Sequence, residues 1–369
     1  MLVFGTRPEA IKMGPLVNEL KKDEEFEVQT VITGQHKEIL DEVLKVFNIN
    51  PLCNLNMIEK AQGLPDLTSK MLKEITEVYN EEEPDMVLVH GDTATTFVSA
   101  LGAFYNKIPV GHVEAGLRTW DKYAPFPEEM NRQMTDSIAD LYFAPTKTSK
   151  NNLLKEGKPA TRIFVTGNTG IDALDYTVSE NVKMPDAFVE NPNNKKILLT
   201  MHRRENWGQP MEEFFDAIND LTSQCENIDV IFPSHPNPLV RNTAENKFKG
   251  NKRVHIIEPL DVVTFHNVIA QSYFIMTDSG GIQEEAPSLG KPVLVLRKET
   301  ERPEGVSAGT LKLVGTDQET IINESLRLLN NKDYYEEKSK LANPYGDGKA
   351  SKRISKALRQ YFFETDGKA

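Results

Sequence analysis

Short runs of β-branched and aromatic residues recur along almost the whole chain, each followed by an amphipathic stretch long enough for a helix. That alternation leaves few folds open, because strand followed by helix, repeated, builds parallel sheets covered by helices. An α/β fold is therefore expected. In the first half, strands are expected near Leu2 to Phe4, Val28 to Thr33, Met86 to His90, Val110 to Val113, Leu141 to Ala144 and Ile163 to Thr166. The second half repeats the layout near Ile197 to Met201, Val230 to Pro233, Val254 to Ile257, Tyr273 to Thr277 and Val293 to Leu296. A length of 369 residues exceeds what one core usually serves, so two doubly wound domains are expected. Between them, Glu180 to Lys195 is rich in Pro, Asn and charge without periodicity and reads as a connection. The change of domain is placed between Gly167 and Lys195.

Composition then removes whole classes of function. A net charge of -12 argues against general nucleic-acid binding, though it leaves room for a local basic pocket that takes one small anion. No apolar stretch reaches the roughly 18 residues of a membrane span. Cys53 and Cys225 are far apart and outside any paired-cysteine metal spacing, and no signal peptide is read ahead of Leu2, so a reduced cytoplasmic protein is expected. The chain lacks G-x-G-x-x-G, G-x-x-x-x-G-K-[ST], G-x-S-x-G and H-E-x-x-H. No nicotinamide, P-loop, serine-elbow or zinc chemistry is therefore expected.

Open parallel sheets bind ligands beyond the carboxyl ends of their strands. There the sequence places Gly5-Thr6-Arg7-Pro8-Glu9 with Lys12 one turn on, then His90-Gly91-Asp92-Thr93, then His112-Val113-Glu114-Ala115-Gly116-Leu117-Arg118. Arg7 and Lys12 are either an anion grip or a solvated helix start. Asp92 is either a functional acid or the N-cap of the next helix, and Glu114 either functional or a loop acid. His90 and His112 read as packed histidines. Glu128 and Arg132 share a helix face and can form a plain salt bridge, while Glu129 suits the helix dipole.

The second half follows the same plan, with His202-Arg203-Arg204-Glu205-Asn206 after its first strand and Pro233-Ser234-His235 after the next. The stretch Thr277-Asp278-Ser279-Gly280-Gly281-Ile282-Gln283-Glu284-Glu285 joins a strand to a helix through small residues. Either this is an ordinary strand-to-helix turn, or Ser279 caps the helix and two glycines without Cβ let an anion approach the first-turn amides. Phe265 is either a core aromatic or a platform for a base.

The motifs Gly5-Thr6-Arg7-Pro8-Glu9-Ala10, Val89-His90-Gly91-Asp92-Thr93, Gly111 to Thr119, Gly167-Asn168-Thr169, His202 to Asn206 and Thr277 to Pro287 together resemble the bacterial non-hydrolysing UDP-N-acetylglucosamine 2-epimerases. The resemblance runs from the first strand to the loop 343–348. It implies a glycosyltransferase-B-like pair of domains facing a cleft, residues 1–168 and 169–350, with the last helix, 351–362, packed back on the first. It implies a homodimer that interconverts UDP-GlcNAc and UDP-ManNAc without a cofactor or metal, for surface polysaccharide synthesis. By match to the family motifs, Asp92, Glu114 and Glu128 move protons with Arg132 and His202 in support. Arg7, Lys12, His202, Arg302 and the Ser279-Gly280-Gly281 amides hold the diphosphate, Glu285 the ribose and Phe265 the uracil. Gln35, Arg203 and His235 match a second site for activating UDP-GlcNAc. The chain departs from the family pattern at Met201 and Lys298-Glu299, and its first strand opens closer to Met1 than expected. A glycosyltransferase, a hydrolysing epimerase and a non-catalytic sensor stay open as rivals.

Overall fold

The computed structural model describes residues 1–34, 37–57, 63–203, 206–235 and 237–363. The chain divides into two units: Met1–Tyr176 rejoined by the segment from Tyr345 onward, and Thr177–Pro344.

In the first unit, β1 (Leu2–Phe4), β2 (Thr30–Ile32), β3 (Cys53–Asn54), β4 (Val87–His90), β5 (Val110–Val113), β6 (Leu141–Ala144) and β7 (Ile163–Val165) form one sheet in the order β3-β2-β1-β4-β5-β6-β7. Every pairing is parallel, with Leu2 opposite both Thr30 and Leu88, and His112 opposite Val89. The order reverses between β1 and β4, so the loops after those strands diverge and leave the crevice where such sheets bind ligands. Gly5 shows how tightly that point is packed. A Cβ there would lie 2.0 Å from Thr33 Oγ1 and 2.7 Å from Thr95 Oγ1.

The first helix, Arg7–Leu20, starts where it does because Thr6 and Glu9 form a capping box, with Pro8 in its first turn. Glu9 is also a long-range tie. Its carboxylate accepts from the Gly5 and Thr6 N–H groups at 2.9 and 2.7 Å and from the Thr93 hydroxyl at 2.5 Å, joining the loops after β1 and β4.

The second unit repeats the scheme with β8 (Lys195–Thr200), β9 (Ile228–Pro233), β10 (Val254–Ile257), β11 (Phe274–Thr277), β12 (Val293–Val295) and β13 (Leu311–Leu313), in the parallel order β10-β9-β8-β11-β12-β13. Its switch point lies between β8 and β11. One face of the sheet buries Phe214, Phe215 and Phe232 under the helix Gln209–Gln224, and the other buries Val268, Ile269 and Ile275. Each such side chain adds about 1.5–3 kcal/mol of apolar burial.

The first crossing between units follows Tyr176 rather than residue 168, because the turn Thr169–Asp172 packs on the first helix: a Cβ on Gly170 would sit 3.4 Å from Lys12 Cγ. The return comes at Tyr345, ahead of 351, where the Tyr345 carbonyl accepts the Asn168 N–H at 2.8 Å. The final helix, Ala350–Phe363, is held in the first unit by Asp172, whose carboxylate accepts the Ala350 and Ser351 N–H groups at 3.0 and 2.7 Å. Among the described residues, no helix is long and apolar enough to cross a membrane.

Candidate functional site

The first unit gathers its acids at the sheet's switch point. Glu114 follows β5 in a left-handed conformation (φ 68°), and its Oε2 takes Lys12 Nζ at 2.5 Å and Asn168 Nδ2 at 2.9 Å. His90 Nε2 lies 3.7 Å from the same oxygen. His90 is 4% exposed, and burial pushes its imidazole down to about 3, so it sits there neutral. Asp92 follows β4 and pairs with Arg132 at 2.6 Å, and its backbone carbonyl accepts Asn131 Nδ2 at 2.9 Å. Burial raises the Asp92 carboxyl above the ordinary range, Glu114 and Glu128 push it the same way, and Arg132 and Lys12 oppose them. Three acids thus act on one field, with two cations to moderate it.

Two alternatives that the sequence left open are decided here. The N-cap of the helix Ala94–Tyr105 is Thr93, whose hydroxyl accepts the Thr96 N–H, so Asp92 is released from capping. Arg132 reaches Asp92 and, at 3.4 Å, Glu129, rather than Glu128 one turn away. Glu129 is fully buried and accepts the Thr119 and Trp120 N–H groups at 3.1 Å each, which fixes the loop ahead of Glu128. Arg7 stands exposed as the first residue of its helix.

The second unit gathers cations instead. Asp278, fully buried at the end of β11, accepts the backbone N–H groups of His202 and Arg203 at 3.0 and 2.8 Å and faces His202 Nδ1 at 3.0 Å. Burial works against its charge, yet His202 and these N–H groups hold the carboxyl below its usual range. Gly280 opens the helix Gly280–Glu285 between two guanidinium groups: a Cβ there would meet Arg302 Nη2 at 3.4 Å and Arg203 Nη2 at 3.8 Å. Arg302 is itself paired with Glu284. Ser279 occupies the N-cap position without making a side-chain cap; its own N–H donates to Thr277 Oγ1 at 2.9 Å.

The remaining residues divide. His235 is exposed and stacks on His202, ring centroids 5.9 Å apart, with burial and His202 both lowering its tendency to protonate. Glu285 faces His266 Nε2 at 3.5 Å, and partly buried Phe265 packs against one core cluster. Gln35, Arg204 and Glu205 lie outside the described residues. Among those described, no group of His, Cys, Asp and Glu is arranged to hold a metal ion.

Against known proteins, the family described as UDP-N-acetylglucosamine 2-epimerase matches residues 18–359. A UDP-N-acetylglucosamine 2-epimerase of Bacillus subtilis (strain 168) is 57% identical over 358 residues, which is 97% of this chain and 94% of that protein. The chain belongs to this epimerase family. It is an isomerase, built on the glycosyltransferase-B-like type of two Rossmann-like domains. A Neisseria meningitidis UDP-GlcNAc 2-epimerase solved bound to UDP-GlcNAc matches the epimerase with a TM-score of 0.88 and 46% identity, covering 97% of this chain and 99% of that one. A Staphylococcus aureus protein solved with UDP matches with a TM-score of 0.90 and 49% identity, covering 100% and 98%.

Three residues that hold the loops of the candidate site in place were not singled out from the sequence. Asn168 obeys the strand-end rule that found Glu114, since it follows β7, and Glu9 carries the T-x-x-E signature of a capping box. Asp278 stood in view as the residue before Ser279. Its role as the anchor of the loop after β8 depends on a partner 76 residues away, which no local pattern shows.

Proposed function

We propose that the enzyme reversibly inverts C2 of UDP-GlcNAc to give UDP-ManNAc, by eliminating UDP and adding it back. The observation that carries this reading is the pair of acids on the loops after β4 and β5, each held by a cation: Asp92 by Arg132 at 2.6 Å and Glu114 by Lys12 at 2.5 Å. The C2–H of a sugar is too weakly acidic for a carboxylate alone. When the C1–O bond breaks, its electron pair leaves with UDP and C1 becomes electron-poor, so the C2 proton passes to one carboxylate as the C1=C2 bond of 2-acetamidoglucal forms. A second acid then delivers a proton to the opposite face of C2, and UDP oxygen re-forms the bond to C1. Two differently placed acid/base groups are the minimum, and Asp92, Glu114 and Glu128 supply three.

The departing diphosphate needs fixed donors, and these are Arg7, Lys12, His202, Arg302 and the Gly280 and Gly281 amides, the Ser279 N–H being taken by Thr277 Oγ1. With His202 Nδ1 turned to Asp278, Nε2 is the nitrogen left for a phosphate oxygen. Glu285 takes the ribose and Phe265 the uracil, and Arg132 and His202 support the proton transfers. The reading needs no nicotinamide and no metal. Gln35, Arg203 and His235 are assigned to a second, activating UDP-GlcNAc. A homodimer in the cytoplasm that feeds ManNAc to surface polysaccharide completes the reading.

Incubation with UDP-GlcNAc in deuterated water tests it. NMR should show UDP-ManNAc accumulating and deuterium entering C2 of both sugars. Release of free ManNAc, or sugar unchanged at C2, would overturn it.

A further inference from the structure

Behind the Asp92 loop lies an ion network, buried at His112 and Asp136 and reaching the surface at Glu156, that the reaction above does not use. His112, 0% exposed, places Nδ1 2.7 Å from Asp136 Oδ1 and Nε2 2.7 Å from the Gly91 carbonyl oxygen. Asp136 is also 0% exposed, and its Oδ2 accepts Arg118 Nη2 at 2.7 Å and the Gly116 N–H at 3.2 Å. Arg118 in turn donates from Nε and Nη2 to Glu156, at 2.6 and 2.7 Å.

A carboxylate and a peptide carbonyl both only accept. A neutral imidazole has a single N–H, so one of its two short contacts would set lone pair against lone pair in the interior, at about 1–3 kcal/mol or more. Moving a proton to Asp136 does not resolve this, because Arg118 and the Gly116 N–H already stabilise that carboxylate as an anion. Burial raises the Asp136 carboxyl, and the contacts with His112 and Arg118 more than reverse the effect. The charges then balance in sequence: His112 positive, Asp136 negative, Arg118 positive, Glu156 negative.

We propose that His112 is an imidazolium ion in the folded enzyme and is the positioning residue for Asp92, gripping through Gly91 the backbone from which that carboxylate projects. Gly91 is held on both sides, its N–H donating to the Val113 carbonyl at 2.9 Å and its carbonyl receiving His112, with φ at 70°. Asn131 fixes the Asp92 carbonyl. The positioning role rests on the reading of Asp92 as an acid/base group; the charge state does not. A misplacement of about 1 Å at a reacting group costs about a hundredfold in rate, so the grip has kinetic weight.

Neutron diffraction from a deuterated crystal of the unaltered enzyme, grown at neutral pH, should show deuterium on both ring nitrogens of His112. One bare nitrogen overturns the proposal whatever the kinetics. His112→Gln should lower kcat about a hundredfold, leave the Kd for UDP unchanged and displace the limb of the pH–kcat profile that Asp92 sets. A variant that loses thermal stability but keeps kcat and that limb makes His112 merely structural and overturns the positioning role. Should His112→Gln not fold, His112→Gln with Asp136→Asn, which also removes the buried charge that faced His112, is read the same way. If Asp92→Asn itself retains turnover, the functional reading fails while the nuclear density still decides the charge.

Discussion

The two units solve the same construction problem and then use charge in opposite senses. Each is a parallel sheet with a switch point, and each places its chemistry on the loops that leave it. In the first unit the cations serve the acids: Lys12 and Arg132 sit on Glu114 and Asp92. In the second the acid serves the cations, since Asp278 is spent on the backbone and ring of His202 and on the Arg203 N–H, leaving guanidinium groups around Gly280. Position in the fold therefore marks where a ligand binds, and the sign of the moderated group marks what is done to it. Moderated acids suit proton transfer; moderated cations suit holding an anion.

The division predicts a double dissociation. The largest effect belongs to the first unit: Asp92→Asn should cut kcat about a thousandfold, within the range of acid/base catalysis, with UDP binding by calorimetry unaltered. Retained turnover would dissolve the contrast. In the second unit, Arg302→Met made together with Glu284→Gln should weaken UDP binding about 10–100-fold, as loss of charged hydrogen bonds implies. Deuterium should still enter C2 of the sugar at saturating substrate, and its loss would show that the units do not divide the labour.

A smaller effect tests the tuning inside the first unit. Arg132 lowers the Asp92 carboxyl against burial and the neighbouring acids. Arg132→Met should therefore move the Asp92 limb of the pH–kcat profile to higher pH, with a loss of about tenfold at neutral pH in the direction where Asp92 acts as base. A limb moving to lower pH would contradict the assignment. The smallest effect has no site component: Asp172→Ala uncaps the final helix and should cost about 1–2 kcal/mol of stability by thermal melting, with UDP affinity unchanged.

Much of this was legible because long-range order here is built from local pattern. The central strands announced themselves by apolar runs, and the strand-end rule led to Asp92, Glu114 and His202 without any knowledge of pairing. The edge strands Cys53–Asn54 and Leu311–Leu313 did not, since two or three residues at a sheet's rim carry no periodicity. His112 was expected only to be packed, because its partner Asp136 lies on a helix 24 residues on. Ser279 was a candidate cap for its helix on residue type alone, and the loop geometry that turns its N–H to Thr277 is invisible in sequence.

Because Asp172 waits for the amides of Ala350 and Ser351, the domain that leaves the ribosome first is the one finished last. A nascent chain must hold an incomplete amino-terminal lobe through the synthesis of the entire second lobe. A frameshift or clipping near the tail would consequently injure the part of the protein encoded at the opposite end of the message.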